Sequence, residues 1–377
     1  MSLRVGVNLL WMVPGEVGGS EEYSVRLLEA FARARPDDIE LVLFVNNRVP
    51  DAHPTLAAAF PTVVGPSSSA SRPGRVLVES TWLVRQTRAE RLDLVHHLGG
   101  TMPWRRPTPG LVTIHDLQPW VHPQNFSAVK RAYLRMTVPP SARRAAVVTT
   151  LSAFVKADVV ARLGVDGDRV VQIPPGLDQP AAVAVADAER VLADLDLSGR
   201  GFVIYPAITY PHKNHVVLVR AFAQVVSADP EARLVLTGGV AGAEPTIAAE
   251  IDRLGLEGQV IRTGRLAVGD FNTLFGSATA MAFPSIYEGF GMPALEAMSR
   301  GVPVVAAANT ALPEVLGGAG LLVDPDDIDG WATALTEVLG DTARRADLAG
   351  AGRVRAAEFD WDRSAAALAD AYRRARP

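Results

Sequence analysis

The sequence predicts an α/β protein built from two parallel-sheet domains, and three observations carry that expectation. The chain has 377 residues, more than one hydrophobic core usually supports, so two domains of about 180 residues each are the natural division. Short β-rich runs alternate with helical patterns throughout, and strand, helix, strand in repetition implies parallel sheets with helices on both faces. A proline- and glycine-rich break near the middle separates one such series from a second.

The first series places strands at Arg4 to Leu10, Glu40 to Val45, Asp93 to His97, Leu111 to His115, Ala146 to Thr150 and Val170 to Ile173. Between them, Glu21 to Arg33, Ser127 to Ala142 and Ser152 to Arg162 carry apolar residues at helical spacing, with Ser152 placed as an N-cap. Pro174, Pro175, Gly176 and Pro180 interrupt this rhythm, and the inter-domain link is read between Pro174 and Ala188, where an alanine-rich run can begin a helix. The second series follows with strands at Phe202 to Tyr205, Arg233 to Thr237, Val260 to Arg262, Ala280 to Phe283, Pro303 to Ala306 and Gly320 to Val323. Two such domains in tandem bring the carboxyl ends of their strands toward a shared cleft, where open α/β sheets bind ligands.

Composition removes several classes of function. Hydrophobic residues make up 48% and charged residues 21%, which is the profile of a globular chain rather than a disordered one. The formal charge is −4, so no global positive field gathers nucleic acid. Cysteine is absent, which excludes disulfides, thiolate metal sites and cysteine nucleophiles. The apolar run from Val5 to Val13 is interrupted by Asn8 and has neither a basic leader nor a small-residue cleavage site, so a first buried strand is expected. No stretch approaches the roughly 20 apolar residues of a membrane span, and a soluble cytoplasmic protein is the expectation.

The most specific segment is Glu288-Gly-Phe-Gly-Met-Pro-Ala-Leu-Glu296, between a strand ending near Phe283 and a helix that should begin at Pro293. Proline suits a first helical turn because its missing N–H would be unpaired there. Gly289 and Gly291 let the backbone approach a ligand, and the N–H groups of Phe290, Gly291 and Met292 at a helix start favour negative charge such as phosphate oxygens. Glu288 precedes the turn and Glu296 lies in the helix's first turns, so one carboxylate can reach a sugar and the other a ribose diol. The plainer alternative is an exposed turn whose glutamates merely complement the helix dipole. Two glycines and a proline at this place make that alternative the less economical one.

The segment Ala280 to Val305, which ends Glu-Ala-Met-Ser-Arg-Gly-Val-Pro-Val-Val, resembles the E-x7-E signature of retaining glycosyltransferases of the GT-B fold, family four. The resemblance continues in Tyr205-Pro-Ala-Ile-Thr-Tyr-Pro-His-Lys-Asn-His215, similar to that family's lysine-asparagine loop. It extends to Ile173-Pro-Pro-Gly-Leu-Asp178, its inter-domain turn, and Leu312-Pro-Glu-Val-Leu316, its next helix. It thus covers almost the whole chain. It implies two Rossmann-like domains facing a central cleft: an acceptor domain at 1–178, a nucleotide-sugar donor domain at 179–360, and a C-terminal helix at 361–377 returning to the first domain.

By the same resemblance, Glu288 binds the sugar hydroxyls and Glu296 the ribose. Lys213 follows the second domain's first strand and precedes a helix that Asn214 can cap, so its ammonium can meet a diphosphate near a helix N-terminus. Members of the family often carry an arginine a few residues earlier, where this chain has Ile208; Arg265, in Thr263-Gly-Arg-Leu266, can supply the second cation or pack against the nucleotide base, an ordinary surface arginine being the equal alternative. Gly18 and Gly19, in Gly18-Gly-Ser-Glu-Glu-Tyr23, resemble the glycine-rich loop beside the donor phosphates. His115, in Thr113-Ile-His-Asp-Leu117, ends a predicted strand and by resemblance sits beside the donor sugar; a core histidine bonded to Asp116 or a backbone carbonyl is the bland alternative.

His96 and His97 are adjacent strand residues pointing to opposite faces, and are not read as a metal pair. The acid pairs Asp166-Gly-Asp168, Asp194-Leu-Asp196 and Asp324-Pro-Asp-Asp327 sit in turns that favour aspartate for local hydrogen bonding. No catalytic metal and no cofactor beyond the nucleotide-sugar co-substrate are expected. Lys130, Arg131, Arg135, Arg143 and Arg144 make Ser127 to Arg144 basic, which offers a weak peripheral contact to anionic lipid or an anionic acceptor, a solvated helix face being the simpler account.

The function the resemblance implies is retaining transfer of a hexose, with a weak lean to mannose from GDP-mannose and UDP-hexoses close behind, to a hydroxyl of a glycan, glycolipid or small-molecule acceptor. A non-catalytic sugar-nucleotide-binding protein is the first rival, separated by slow donor hydrolysis that Glu288→Ala would abolish. A nicotinamide-dependent oxidoreductase is the second, and the spacing of Gly15 to Gly19 departs from the Gly-x-Gly-x-x-Gly turn it needs.

Overall fold

The computed structural model describes residues 2–66, 71–178 and 185–376. The chain divides into two compact units, Met1–Gly176 with Phe359–Pro377, and Leu177–Glu358. Residues 179–184 of the proline-rich link lie outside the described residues.

The first unit holds a parallel sheet of β1 (Leu3–Leu9), β2 (Ile39–Val45), β3 (Thr62–Val64), β4 (Leu94–His97), β5 (Gly110–Ile114), β6 (Val147–Thr150) and β7 (Val170–Gln172). Its spatial order is β3-β2-β1-β4-β5-β6-β7. β4, β5 and β6 are buried along their whole length, as expected for parallel strands covered on both faces. That is why they read as continuous apolar runs. The helix Ala153–Leu163 starts where Ser152 Oγ accepts the Val155 N–H at 3.2 Å, the N-cap its sequence announced.

The second unit repeats the design with β8 (Phe202–Pro206), β9 (Arg233–Thr237), β10 (Val260–Gly264), β11 (Ala280–Phe283), β12 (Val304–Ala307) and β13 (Leu321–Val323), in the order β10-β9-β8-β11-β12-β13. In both sheets the chain builds outward from the first strand in one direction, then jumps back and builds in the other. The reversal falls between β1 and β4, and between β8 and β11. Loops at the carboxyl ends of the strands flanking such a reversal part to opposite faces and leave a crevice, the position where this architecture binds its ligands. The fold is therefore two Rossmann-like parallel-sheet domains.

The helix Trp361–Arg374 packs on the first unit, against the helix Gly19–Ala34. Tyr372 is fully buried, and its hydroxyl meets His96 Nδ1 at 2.9 Å. Ser364 Oγ donates to the Pro174 carbonyl at 2.6 Å. The backbones cross so closely that a Cβ on Gly176 would lie 2.1 Å from the Trp361 nitrogen, so only glycine fits there. Arg373 closes the docking with a fork onto Asp38, both bonds 2.8 Å; that guanidinium holds the Asp38 carboxyl below its ordinary pKa.

Candidate active site

In the second unit, Lys213 lies after β8 and Glu288 after β11, the two strands that flank the reversal. Although 75 residues apart, their side chains meet, Lys213 Nζ to Glu288 Oε1 at 2.6 Å, with 20% and 14% of each side chain exposed. The ammonium also lies 5.8 Å from the centre of the Phe283 ring at the end of β11, an arrangement that attracts a cation to the ring face. Strand order brings the pair together, and partial burial strengthens its electrostatics relative to open water.

Three loops interlock around it. The His212 carbonyl accepts from the Ile286 N–H at 2.9 Å and from Ser285 Oγ at 3.2 Å. Tyr205, on β8, donates its hydroxyl to the Lys213 carbonyl at 2.8 Å. From the loop after β12, Asn309 Nδ2 donates to the Ile286 carbonyl at 3.1 Å, and Thr310 Oγ1 accepts the Glu288 N–H at 3.2 Å. Such clamps hold the ionic pair in one geometry, which is what electrostatic catalysis requires.

Gly291 has φ 105° and begins the helix Met292–Ser299; a Cβ there would sit 2.7 Å from Leu312 Cδ2. Glycine is thus needed for conformation and for space. Phe290 is 5% exposed, so its ring packs into the domain. Glu296 lies in the helix Met292–Ser299, and its carbonyl accepts from Ser299 Oγ at 2.8 Å and Arg300 Nη1 at 3.0 Å. Burial lowers the Arg300 pKa, while the Glu296 charge works against that.

Arg265 lies just past β10, exposed, with its guanidinium across Gly239: a Cβ on that glycine would be 3.0 Å from Arg265 Nε. The Gly239 carbonyl accepts the Thr209 N–H at 3.1 Å, one residue after Ile208. The structure therefore places Arg265 beside Gly239, whose carbonyl is tied to the loop that carries Ile208. Beside it, Thr209, Thr237, Gly238, Glu244 and Arg262 line a pocket of about 420 Å3.

Asn214 departs from expectation. Its backbone is left-handed, φ 57°, it makes no side-chain cap, and its Nδ2 donates instead to the Pro325 carbonyl at 2.8 Å. Asparagine tolerates this conformation better than most residues, and a long-range tie outcompetes the local one. His215, the next residue, is buried against Tyr205 with ring centres 4.6 Å apart. Neither ring nitrogen completes a well-formed hydrogen bond, the Ala207 backbone being near enough only to act on its charge. Burial, with help from the Lys213 charge, pushes its pKa down to about 4.

In the first unit, Gly18 and Gly19 follow β1 at the start of the helix Gly19–Ala34. Gly18 has φ 66°, and a Cβ on either glycine would meet nothing within 4 Å. Conformation at Gly18, not crowding, is what calls for glycine. His115 follows β5, its Nε2 2.9 Å from the Leu98 carbonyl at the end of β4, its ring edge-on to Tyr23 at 5.5 Å. A nitrogen facing a carbonyl carries the proton, so Nδ1, buried and without a partner, is left as an acceptor. Burial pushes the His115 pKa down to about 4, and the ring is neutral near pH 7. His96 and His97 are both buried, in separate hydrogen-bond networks.

Sequence reasoning missed Thr310, Asn309, Ser285 and Tyr205. Their one shared signal is position, each lying at or just past the end of a strand of the second sheet.

The match to known families divides as the fold does. Residues 17–179 match the family described as Glycosyltransferase Family 4, and residues 193–355 that described as Glycosyl transferases group 1. The chain is 28% identical to O-antigen chain mannosyltransferase B of Escherichia coli, over 94% of this chain and 96% of that protein. It is 30% identical to D-inositol 3-phosphate glycosyltransferase of Salinispora tropica, over 95% of this chain and 81% of the relative. Among solved structures, HepE of Anabaena, in complex with UDP and glucose, superposes with a TM-score of 0.76 at 22% identity, covering 98% of both chains. Sucrose-phosphate synthase of Thermosynechococcus elongatus gives 0.77 at 24%, again over 98% of both. With the fold shared by these structures and its sequence matched in both halves, the chain belongs to the group 1, family 4 glycosyltransferases of the GT-B fold.

Proposed function

We propose that the protein transfers a hexose, with mannose favoured, from a nucleotide-diphosphate sugar to a hydroxyl of a glycan, glycolipid or small-molecule acceptor, with retention at the anomeric carbon. The observation that carries this reading is the 2.6 Å pair of Lys213 and Glu288 at the strand reversal of the second unit. The sugar–phosphate bond breaks with its electrons going to the phosphate oxygen. The anomeric carbon gains oxocarbenium character, the acceptor hydroxyl attacks from the leaving group's side, and its proton passes to the departing phosphate. Charge therefore grows with opposite sign at two places a few ångströms apart, and one ammonium beside one carboxylate is matched to both.

Lys213 neutralises the diphosphate and Glu288 binds sugar hydroxyls and stabilises the positive carbon. Glu296 holds the ribose. The backbones of Phe290, Gly291 and Met292 receive phosphate oxygens at the helix start. Arg265 supplies the second cation that Ile208 does not. In the first unit, taken by itself, Gly18 and Gly19 are the residues to meet phosphate oxygens, and His115, with its neutral ring, the residue to meet a sugar hydroxyl. With Lys213 and Arg265 carrying the charge, the transfer proceeds without a metal. The second unit is the donor domain and the first the acceptor domain of a cytoplasmic enzyme. The E. coli mannosyltransferase relative supports mannose, and the inositol phosphate glycosyltransferase supports a small-molecule acceptor.

The test is a thermal-shift panel of GDP-, UDP- and ADP-sugars, since ligand binding to the native state raises the melting temperature, followed by NMR of the product's anomeric proton. GDP-mannose should raise the melting temperature most, and the product should keep the donor's configuration. A panel without any shift, or an inverted product, overturns the proposal.

A further inference from the structure

The first sheet has a second chemically distinctive edge, at the amino ends of its strands. Where β5 begins at Gly110 and β6 at Val147, an open pocket of about 560 Å3 lies between Arg106, Arg144 and Arg169. Gly18 and His115 lie past the carboxyl ends of β1 and β5; β5 alone separates the two edges by four residue steps of about 3.3 Å.

The three arginines are fixed from behind. Arg106 Nη2 and Arg144 Nη2 donate to the carbonyls of Arg144 and Trp104, and Arg169 Nη1 donates to those of Arg143 and Ala145 at 3.1 and 2.9 Å. Arg144 also stacks 4.7 Å over the Trp104 ring. Capping the carbonyls at the end of the helix Ala128–Arg144 is a sufficient account of one nitrogen each of Arg106 and Arg169, and the tie to the Trp104 loop accounts for one of Arg144. This leaves the other two nitrogens of each unaccounted for. Among the described residues no carboxylate pairs with any of the three. The strain registers on Arg106, whose pKa is lowered by burial and by the Arg144 charge. Arg106 Nε and Thr108 Oγ1, in the same wall, are buried with no hydrogen-bond partner. Native proteins rarely leave such groups orphaned, and an ordered water, an ion or a ligand completes them.

We propose that this pocket binds a phosphate group, as inorganic phosphate or a phosphomonoester, at a site separate from the transfer machinery. Guanidinium groups present planar forks that match phosphate oxygens two at a time, the Thr108 hydroxyl adds a donor, and the anion relieves three uncompensated charges. The phosphate has two sources, free in solution or as the headgroup of a monoester lipid such as phosphatidic acid. Trp104, 71% exposed at the rim, separates them, because an indole ring at the lip enters a lipid interface directly, whereas it touches a free anion only through the Arg144 it stacks on.

The experiment uses the full chain: calorimetric titration with inorganic phosphate at low and high salt, and flotation with phosphatidylcholine vesicles with and without phosphatidic acid. Binding is expected in at least one arm, weakening as salt rises. It should fall by about tenfold or more in Arg106→Gln/Arg144→Gln, which removes two of the three guanidiniums. Pro107→Glu places a carboxylate at the exposed rim, leaves every arginine–carbonyl bond in place, and should abolish binding with the melting temperature unchanged. Trp104→Ala should weaken vesicle binding far more than the phosphate titration if lipid is the source, and the phosphate titration only slightly, through the lost stack on Arg144, if it is not. Neither arm binding, or binding that persists in both Pro107→Glu and the double variant, overturns the proposal. No turnover is measured, so the result stands apart from that of the donor panel.

Discussion

His96 in the first unit and His215 in the second are equally buried, yet their surroundings differ. His96 meets Tyr372 at one nitrogen and Thr113 at the other, at 2.9 and 2.7 Å, and Thr113 passes the chain to Thr149. His97 meets Asn8, which also donates to Glu79 at 3.2 Å. In the second unit His215 completes no such network, and the charges next to it, Lys213 and Glu288, stand at the strand ends with part of each side chain in solvent. Closed networks fix a fold, while an open ionic pair keeps its interactions available for an incoming ligand. The two units share a strand order and differ in where they place polar groups, so one is expected to respond to mutation through stability and the other through turnover.

The sharpest way to break that contrast is Lys213→Ala. We expect transfer to fall by about 10²- to 10³-fold, the usual consequence of losing one aimed charge in a catalytic site, with circular dichroism unchanged. Removing one partner of a partly buried pair also costs stability, so Lys213→Met/Glu288→Gln, which removes both charges, should regain the stability and none of the activity. Near-normal turnover in either variant would make the pair structural.

Acid comes next in size. His97 and His115 have pKa values pushed down to about 3 and about 4, and His96 well below its ordinary value, while the second unit has His215 at about 4. A histidine that stays neutral when folded and takes a proton near pH 6.5 when unfolded costs nothing above that pH. Between about pH 6.5 and 4 it loses stability at about 1.4 kcal/mol per unit as pH falls. Glu79, raised by burial, opposes this: its contribution is full at low pH and is lost as pH rises through its folded pKa. Three histidines against one predict that amide exchange at pH 5 exposes the first unit before the second. The reverse order would contradict the contrast.

Much of this fold was legible in the chain because parallel strands buried on both faces appear as unbroken apolar runs. Arg233–Thr237 and Ala280–Phe283 were read with their observed bounds. Thr62–Val64 went unread: three half-exposed residues are too few to show a period. Candidate site residues were visible wherever glycine and proline mark a turn between strand and helix, as around Gly291. What could not be read is which loops become neighbours. Nothing local joins Lys213 to Glu288, Asn214 to Pro325, or Arg265 to Gly239. The first follows from β8 pairing with β11 and the last from β9 pairing with β10, non-local outcomes both. The arginine pocket escaped for the same reason, its three guanidiniums coming from distant stretches.

A smaller effect sharpens the contrast from the first unit. Tyr372→Phe removes only the hydroxyl that meets His96 Nδ1. An orphaned buried nitrogen costs about 1–3 kcal/mol, or roughly 2–4 °C of melting temperature per kcal/mol in a domain of this size. Calorimetry should show that loss with kcat within about twofold of wild type. A large fall in turnover at unchanged stability would mean that the closed network reaches the chemistry after all.

The smallest effect comes from Thr310, where the open site itself stores strain. Its backbone is left-handed, φ 51°, a conformation that costs a β-branched residue about 1–3 kcal/mol. Its hydroxyl accepts the Glu288 N–H at 3.2 Å, a bond worth about 0.5–1.5 kcal/mol net. Thr310→Gly removes both terms, and because the strain is the larger, stability should hold or rise by about 1 kcal/mol in urea unfolding. Turnover should nevertheless fall several-fold, because the backbone carrying Glu288 loses its anchor. A variant both less stable and fully active would show that the hydroxyl serves packing, and that the conformation at Thr310 is not maintained for the sake of the pair beside it.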